Sequence, residues 1–217
     1  MSGLILRGVL AYLLGSIVAS LLIGRFRGVD IRTLGSGNAG ATNALRTQGK
    51  AVGLTVLVID LAKGYLASAV LASVPLPFVP ATPPAVSAWS VPVCSLAVML
   101  GHVYPLWYGF RGGKGVATLV GVVLGIAPAL LLVFLVTFLV TVMLSGYVSL
   151  GSMLGTLAIT VAVWLGVGHL SPRAPVLAFA IAAFFLIVYT HRANIARLRA
   201  GTESRARRLW LLKSSAA

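Results

Sequence analysis

Seven apolar runs, at about 4–24, 51–74, 88–106, 115–127, 128–145, 149–167 and 174–190, leave this chain of 217 residues few folds. The first is as long as the roughly 20 residues that a bilayer-crossing helix requires. With charged residues held to 9% of the length, no stretch remains for a soluble domain of ordinary size. The chain reads as all-α, a polytopic membrane protein with seven transmembrane helices in one domain over 1–203, followed by a basic tail over 204–217. No small-residue cleavage site follows the first run, which meets Arg25, Phe26 and Arg27 directly, so that helix is expected to be retained.

The stretch from Gly115 to Tyr189 is long enough for three helices of ordinary length or four short ones. Pro128, Gly146 and the Ser171-Pro172-Arg173 cluster are natural breaks and favour four. Charge placement agrees. The segment 25–50 carries Arg25, Arg27, Arg32, Arg46 and Lys50 against Asp30, whereas 75–87, with its five prolines, carries no charge. The positive-inside rule puts the first inside and the second outside. Arg111 and Lys114 then fall inside, as does the tail with its seven basic residues after Tyr189, and only an even number of helices between them allows this. The N-terminus is expected outside and the C-terminus in the cytoplasm.

A formal charge of +14 would suggest nucleic acid in a soluble protein. Here the cations cluster in loops and tail, where anionic lipid headgroups are the nearer partner, so membrane lipid and no nucleic acid is expected. The lone Cys94 excludes an intrachain disulfide and reads as packing. With Asp30, Asp60 and Glu203 as the only carboxylates, neither a carboxylate dyad nor a metal cage fits, and no metal or other cofactor is expected.

Three polar segments interrupt the apolar pattern on the expected inner face. The first runs from Gly35 to Arg46 and holds Ser36, Gly37, Asn38, Gly40, Thr42 and Asn43. Its glycines let backbone N–H groups converge, its short side chains add donors, and Arg46 offers a planar fork for phosphate oxygens. The second, Gly109-Phe110-Arg111-Gly112-Gly113-Lys114-Gly115, approaches a nucleotide-binding P-loop but fails it, with Tyr108 at the first glycine position and Gly115 at the Ser/Thr position. What remains is Gly112-Gly113-Lys114 opening a helix, a place that favours an anion. In the third segment His191, Asn194 and Arg197 recur every three residues and share a helix face. Ser149 and Ser152, in a short loop on the same side, add hydroxyls. Asp60 and Lys63, three apart within the second run, read as an intrahelical ion pair steadying the site. His102, at a helix end, reads as a structural hydrogen bond, and His169 lies near the outer face with no role.

At these three segments the chain closely resembles the bacterial integral-membrane glycerol-3-phosphate acyltransferases that use acyl phosphate as donor. The likeness rests on Gly35-Ser36-Gly37-Asn38 with Gly40-Ala41-Thr42-Asn43 and Arg46, and on Gly101-His102 with Gly112-Gly113-Lys114-Gly115-Val116-Ala117-Thr118. It continues in His191-Arg192-Ala193-Asn194-Ile195 with Arg197 and Gly201-Thr202-Glu203, and Asp60-Leu61-Ala62-Lys63-Gly64 also fits. Arg111 stands where a lysine is frequent. The His-x-x-x-x-Asp of the common glycerolipid acyltransferases is missing, since Trp107, Ala174 and Ala196 follow the three histidines at that spacing.

The resemblance implies a seven-helix fold in the bacterial inner membrane with the active site on the cytoplasmic side. It implies acyl transfer from acyl phosphate to the 1-hydroxyl of glycerol 3-phosphate, with no cofactor and no obligate protein partner. Ser36, Arg46, Lys114, His191 and Asn194 map onto the family's critical positions, and Gly37, Asn38, Gly40, Thr42, Asn43, Gly112, Gly113, Ser149 and Arg197 are expected to bind substrate. Two proton acceptors fit, His191 or a substrate phosphate. A transporter of anionic solutes and a scaffold for lipid-synthesis enzymes are the competing classes. The first is disfavoured by nearly uncharged outer loops, and the second has no need of the loop chemistry. For the tail, an interfacial amphipathic helix is weighed against a disordered end, with the helix preferred.

Overall fold

The computed structural model describes residues 2–76, 83–168, 170, 173–206 and 209–212. Pro77, Pro80, His169, Ser171, Pro172, Arg207, Arg208 and Lys213 lie outside them. All regular structure among the described residues is helical. The helices are α1 (Ser2–Gly15), α2 (Ala19–Phe26), α3 (Ala41–Gln48), α4 (Lys50–Tyr65), α5 (Pro84–Ser87), α6 (Ser90–Val103), α7 (Val116–Ile126), α8 (Pro128–Ser145), α9 (Val148–Leu165), α10 (Arg173–Thr190) and α11 (Arg192–Arg199).

Five apolar stretches are long enough to cross a bilayer: Lys50–Leu71, Pro84–Tyr108, Pro128–Ser145, Val148–Leu165 and Arg173–Thr190. The other two expected runs differ. The first is broken, with α1 and α2 meeting at a 44° bend. The fourth, α7, holds 11 residues, about 16 Å of helix against a hydrocarbon core of roughly 30 Å. Pro128 sets its limit, because a proline opens a helix readily but cannot continue one.

Small residues decide how the helices cross. A side chain at Gly15 would strike the Val98 carbonyl and one at Gly101 the Tyr12 carbonyl, so α1 and α6 approach backbone to backbone. Gly64 against Thr118 and Gly121 against Leu61 do the same for α4 and α7. In lipid, where apolar side chains gain little by meeting one another, such close approach is what holds helices together. A second, smaller cluster of Val18, Leu21, Ile31, Ala39, Ala44, Val52 and Val56 sits beneath the first polar segment and anchors it.

The tail forms no helix among its described residues, which corrects the preference for an interfacial one. It docks on the end of α8 instead. Ala206 N–H donates to Gly146 O at 2.7 Å, Leu211 N–H to Met143 O at 2.9 Å and Trp210 Nε1–H to Leu144 O at 3.2 Å. The last carbonyls of a helix lack partners within it, and the tail supplies them. Arg205 lies over the Tyr147 and Trp210 rings, 4.9 Å and 4.0 Å from their centroids.

Candidate active site

The three polar segments meet around a cavity of about 270 Å³. Ser36, Gly37 and Asn38 line it from the first, Phe110 through Lys114 from the second, and Thr190, Arg192, Ala193 and Arg197 from the third, with Val103 and Tyr104 completing the wall. A neighbouring hollow of about 350 Å³ is lined by Leu21, Gly24, Val29 and Tyr108, along with Arg25 and the Asp30–Arg32 ion pair. Arg32 serves as a tie between loops: besides Asp30 it donates to Tyr108 O at 2.9 Å and Arg111 O at 3.3 Å.

Asn43 explains the shape of the first segment. It is buried, its Nδ2 donates to Ile31 O at 3.2 Å and Leu34 O at 2.9 Å, and its Oδ1 accepts Ser36 N–H at 3.0 Å. Gly35 and Gly37, at φ of 56° and 71°, supply the left-handed turns that a side chain would oppose. Ser36 is thereby held exposed at the cavity. Asn43 itself is a strut and stands outside the lining, as do Gly40 and Thr42. Arg46 projects from the exposed side of α3, outside the lining, with no hydrogen bond among the described residues.

Behind Lys114 and Arg197 of the lining lies a network centred on Glu203, and Glu203, Asn194 and Ser149 themselves stand outside the lining. Its Oε1 accepts from Ser149 Oγ at 2.7 Å and from Asn194 Nδ2 at 2.6 Å, and its Oε2 accepts from Arg197 Nε at 2.7 Å. With its amide nitrogen so engaged, Asn194 turns its Oδ1 to the Lys114 ammonium, which donates to it. Ser149 therefore acts through Glu203 rather than at the cavity. Burial by itself would raise the Glu203 carboxyl, but the bonds from Asn194, Ser149 and Arg197 outweigh it and hold the group below the ordinary carboxylate range. Burial, joined by the Arg197 charge, pushes Lys114 down to about 8, against a smaller opposing pull from Glu203. Thr190 Oγ1 donates to Lys114 O at 3.1 Å and fixes the backbone there.

His191 is buried at the junction of α10 and α11, next to Thr190 and Arg192 but itself outside the lining of the cavity. Its Nδ1 lies 2.8 Å from Ile187 O. A carbonyl only accepts, so Nδ1 carries the proton and Nε2 keeps its lone pair. Burial, then the Lys114 charge, lower the imidazole to about 4, and at neutral pH it is uncharged. Sequence reasoning had no role for Glu203, Thr190, Tyr104, Phe110 or Arg192. The available signals were that Glu203 is one of three carboxylates in so basic a chain and that it and Arg192 stand in segments that carry the family resemblance.

A family model described as glycerol-3-phosphate acyltransferase matches residues 5–201. The chain belongs to this family. A glycerol-3-phosphate acyltransferase of Geobacter metallireducens is 50% identical over 195 residues, covering 90% of this chain and 93% of the relative. One from Aquifex aeolicus is 37% identical, covering 91% and 96%. Among solved structures, the glycerol 3-phosphate form of PlsY, an integral membrane glycerol 3-phosphate acyltransferase, superposes with a TM-score of 0.79 at 35% identity, over 93% of this chain and 94% of that one. Its lysophosphatidic acid form gives 0.76. The protein is a multi-pass integral membrane acyltransferase.

Proposed function

We propose that the enzyme transfers a fatty acyl group from acyl phosphate to the 1-hydroxyl of sn-glycerol 3-phosphate, giving 1-acyl-glycerol 3-phosphate and inorganic phosphate, the entry step of phospholipid synthesis. The observation that carries this reading is a cavity in which Lys114, Arg192 and Arg197 face Ser36 and a glycine-rich backbone, at the ends of apolar helices. Both substrates bear phosphate, and one bears a chain that belongs in lipid. That one relative, PlsY, was solved in glycerol 3-phosphate and lysophosphatidic acid forms supports the acceptor and the product.

In this reading Lys114 and Arg197 neutralise phosphate charge, the Ser36 hydroxyl and the Asn38 amide hold phosphate oxygens, Gly37, Gly112 and Gly113, whose N–H groups donate to Leu34 O, Val103 O and His102 O, let phosphate approach the backbone closely, and Asn194 keeps Lys114 in place. Arg46, free on the outer side of α3, is a further cation that reaches substrate from beyond the cavity. The glycerol oxygen attacks the acyl carbonyl carbon, the carbon–oxygen bond to phosphate breaks, and phosphate departs. His191 lies behind the lining, between Thr190 and Arg192, and in this reading its Nε2 lone pair orients the attacking hydroxyl from there. A group titrating at about 4 is a weak base at pH 7, whereas a phosphate monoester titrates near ~6, so the hydroxyl proton passes to phosphate. No covalent acyl-enzyme is needed, because acyl phosphate already has a good leaving group.

The same reading has seven membrane crossings, α7 included, with the N-terminus outside and the basic tail and active site on the cytoplasmic side of the bacterial inner membrane. The positive-inside distribution supports that orientation. Purified protein in detergent, given palmitoyl phosphate and labelled glycerol 3-phosphate and no carrier protein, should form labelled lysophosphatidate; absence of product would refute the proposal. His191→Ala should retain a measurable fraction of kcat, and complete loss at saturating substrate would restore the histidine as base. Intact kinetics in Arg46→Ala would remove that residue from the site.

A further inference from the structure

A second polar cluster lies in the apolar interior, apart from the cavity. Asp60 and Lys63 on α4 and His102 near the end of α6 are 1%, 3% and 2% exposed. The Lys63 ammonium stands 2.8 Å from Asp60 Oδ1 and donates to His102 Nδ1 at 2.8 Å, Gly15 O at 3.1 Å and Ile17 O at 3.0 Å. The two carbonyls are ones left open where the first span breaks between α1 and α2. Burying such groups in a membrane protein is costly, and an ion pair within α4 would need neither the histidine nor the broken helix.

His102 carries the connection onward. Its carbonyl accepts Gly113 N–H at 3.1 Å, and the adjacent Val103 carbonyl accepts Gly112 N–H at 3.0 Å. Its ring lies against Gly113 so closely that a side chain at that position would strike Nε2. The next residue is Lys114. One unbroken series of contacts thus runs from the kink in the first span, through Lys63 and His102, to the two glycines and the lysine of the cavity wall.

We propose that Asp60, Lys63 and His102 are positioning residues, which seat Gly112-Gly113-Lys114 at the level where the Lys114 ammonium meets substrate phosphate. Lys63 fixes the His102 ring, and the ring is the floor on which Gly113 rests. The inference depends on the cavity being the phosphate site.

The test compares His102→Leu, which keeps bulk and loses the acceptor for Lys63, with His102→Asn, whose amide oxygen replaces Nδ1. The double variant Asp60→Asn with Lys63→Met removes both buried charges together. For each, KM for glycerol 3-phosphate and for palmitoyl phosphate, kcat, and the thermal unfolding midpoint in detergent are measured. His102→Leu and the double variant should raise KM for at least one phosphate substrate about tenfold, the loss of one hydrogen bond to a charged group, with a smaller change in kcat. His102→Asn should recover most of that loss. A merely structural cluster would lower the folded, active fraction and leave KM alone. KM values within about twofold of native in folded variants, or failure of all three to fold, overturns the proposal. Ser36→Ala and Lys114→Ala are measured alongside: full activity in both would refute the cavity reading itself, and the inference with it.

Discussion

The alkaline limb of the rate profile tests the electrostatics of the cavity most directly. Lys114 titrates at about 8, because burial and Arg197 both disfavour its charge. If the ammonium binds phosphate, kcat/KM should follow its charged fraction in the free enzyme. That fraction is about 0.91 at pH 7 and about 0.09 at pH 9 for a group with this midpoint, so kcat/KM should fall about tenfold across the window. The substrate phosphates do not confound the measurement, since their second ionisation near ~6 is largely complete by pH 7. Initial rates with labelled glycerol 3-phosphate, below KM for both substrates and corrected for spontaneous loss of the acyl donor, give the profile. Lys114→Arg supplies the control. A guanidinium stays charged throughout, so this variant should be slower overall but flat from pH 7 to about 9.5. A flat native profile, or the same limb in Lys114→Arg, would refute the assignment of Lys114 as the phosphate-binding cation.

Glu203→Gln removes the charge that supports Lys114 and weakens the bond from Arg197, so the alkaline limb should move to lower pH and kcat/KM at pH 7.5 should drop about tenfold or more; an unmoved limb would deny Glu203 its place at the centre of the network. Asn43→Ala strips three hydrogen bonds from a buried strut and should cost about 2–3 kcal/mol, read as a lower unfolding midpoint together with a raised KM for glycerol 3-phosphate as the Ser36 turn loosens. An unchanged midpoint would show that the small core beneath the loop holds it without Asn43.

Much was legible in the sequence because membrane folding rests on long, local signals. Each apolar run contains a helix, Pro128 and Gly146 fall at the breaks, and Asp60 and Lys63 form the pair that their spacing implied. The glycine-rich segments identified themselves by composition, and the structure gathers all three around one cavity. The kink after Gly15 was hidden. Nothing in an uninterrupted apolar run signals a break whose freed carbonyls are bonded by a lysine 48 residues away.

Side-chain assignments inside the polar segments were decided by tertiary structure alone. Asn43, Arg46 and Ser149 are the residue types a phosphate site needs, yet Asn43 turns inward as a strut, Arg46 faces outward from α3, and Ser149 bonds Glu203. A residue's chemistry is local, whereas the direction in which its helix presents it depends on what the opposite face of that helix must bury. Glu203 owes its central place to the turn after α11, which returns it beneath Asn194. The sequence alone determined that this chain is a membrane protein of apolar helices joined by cationic, glycine-rich segments. Which of those groups line the common cavity was decided only by packing, because hydrogen bonds between distant segments obey no spacing rule along the chain.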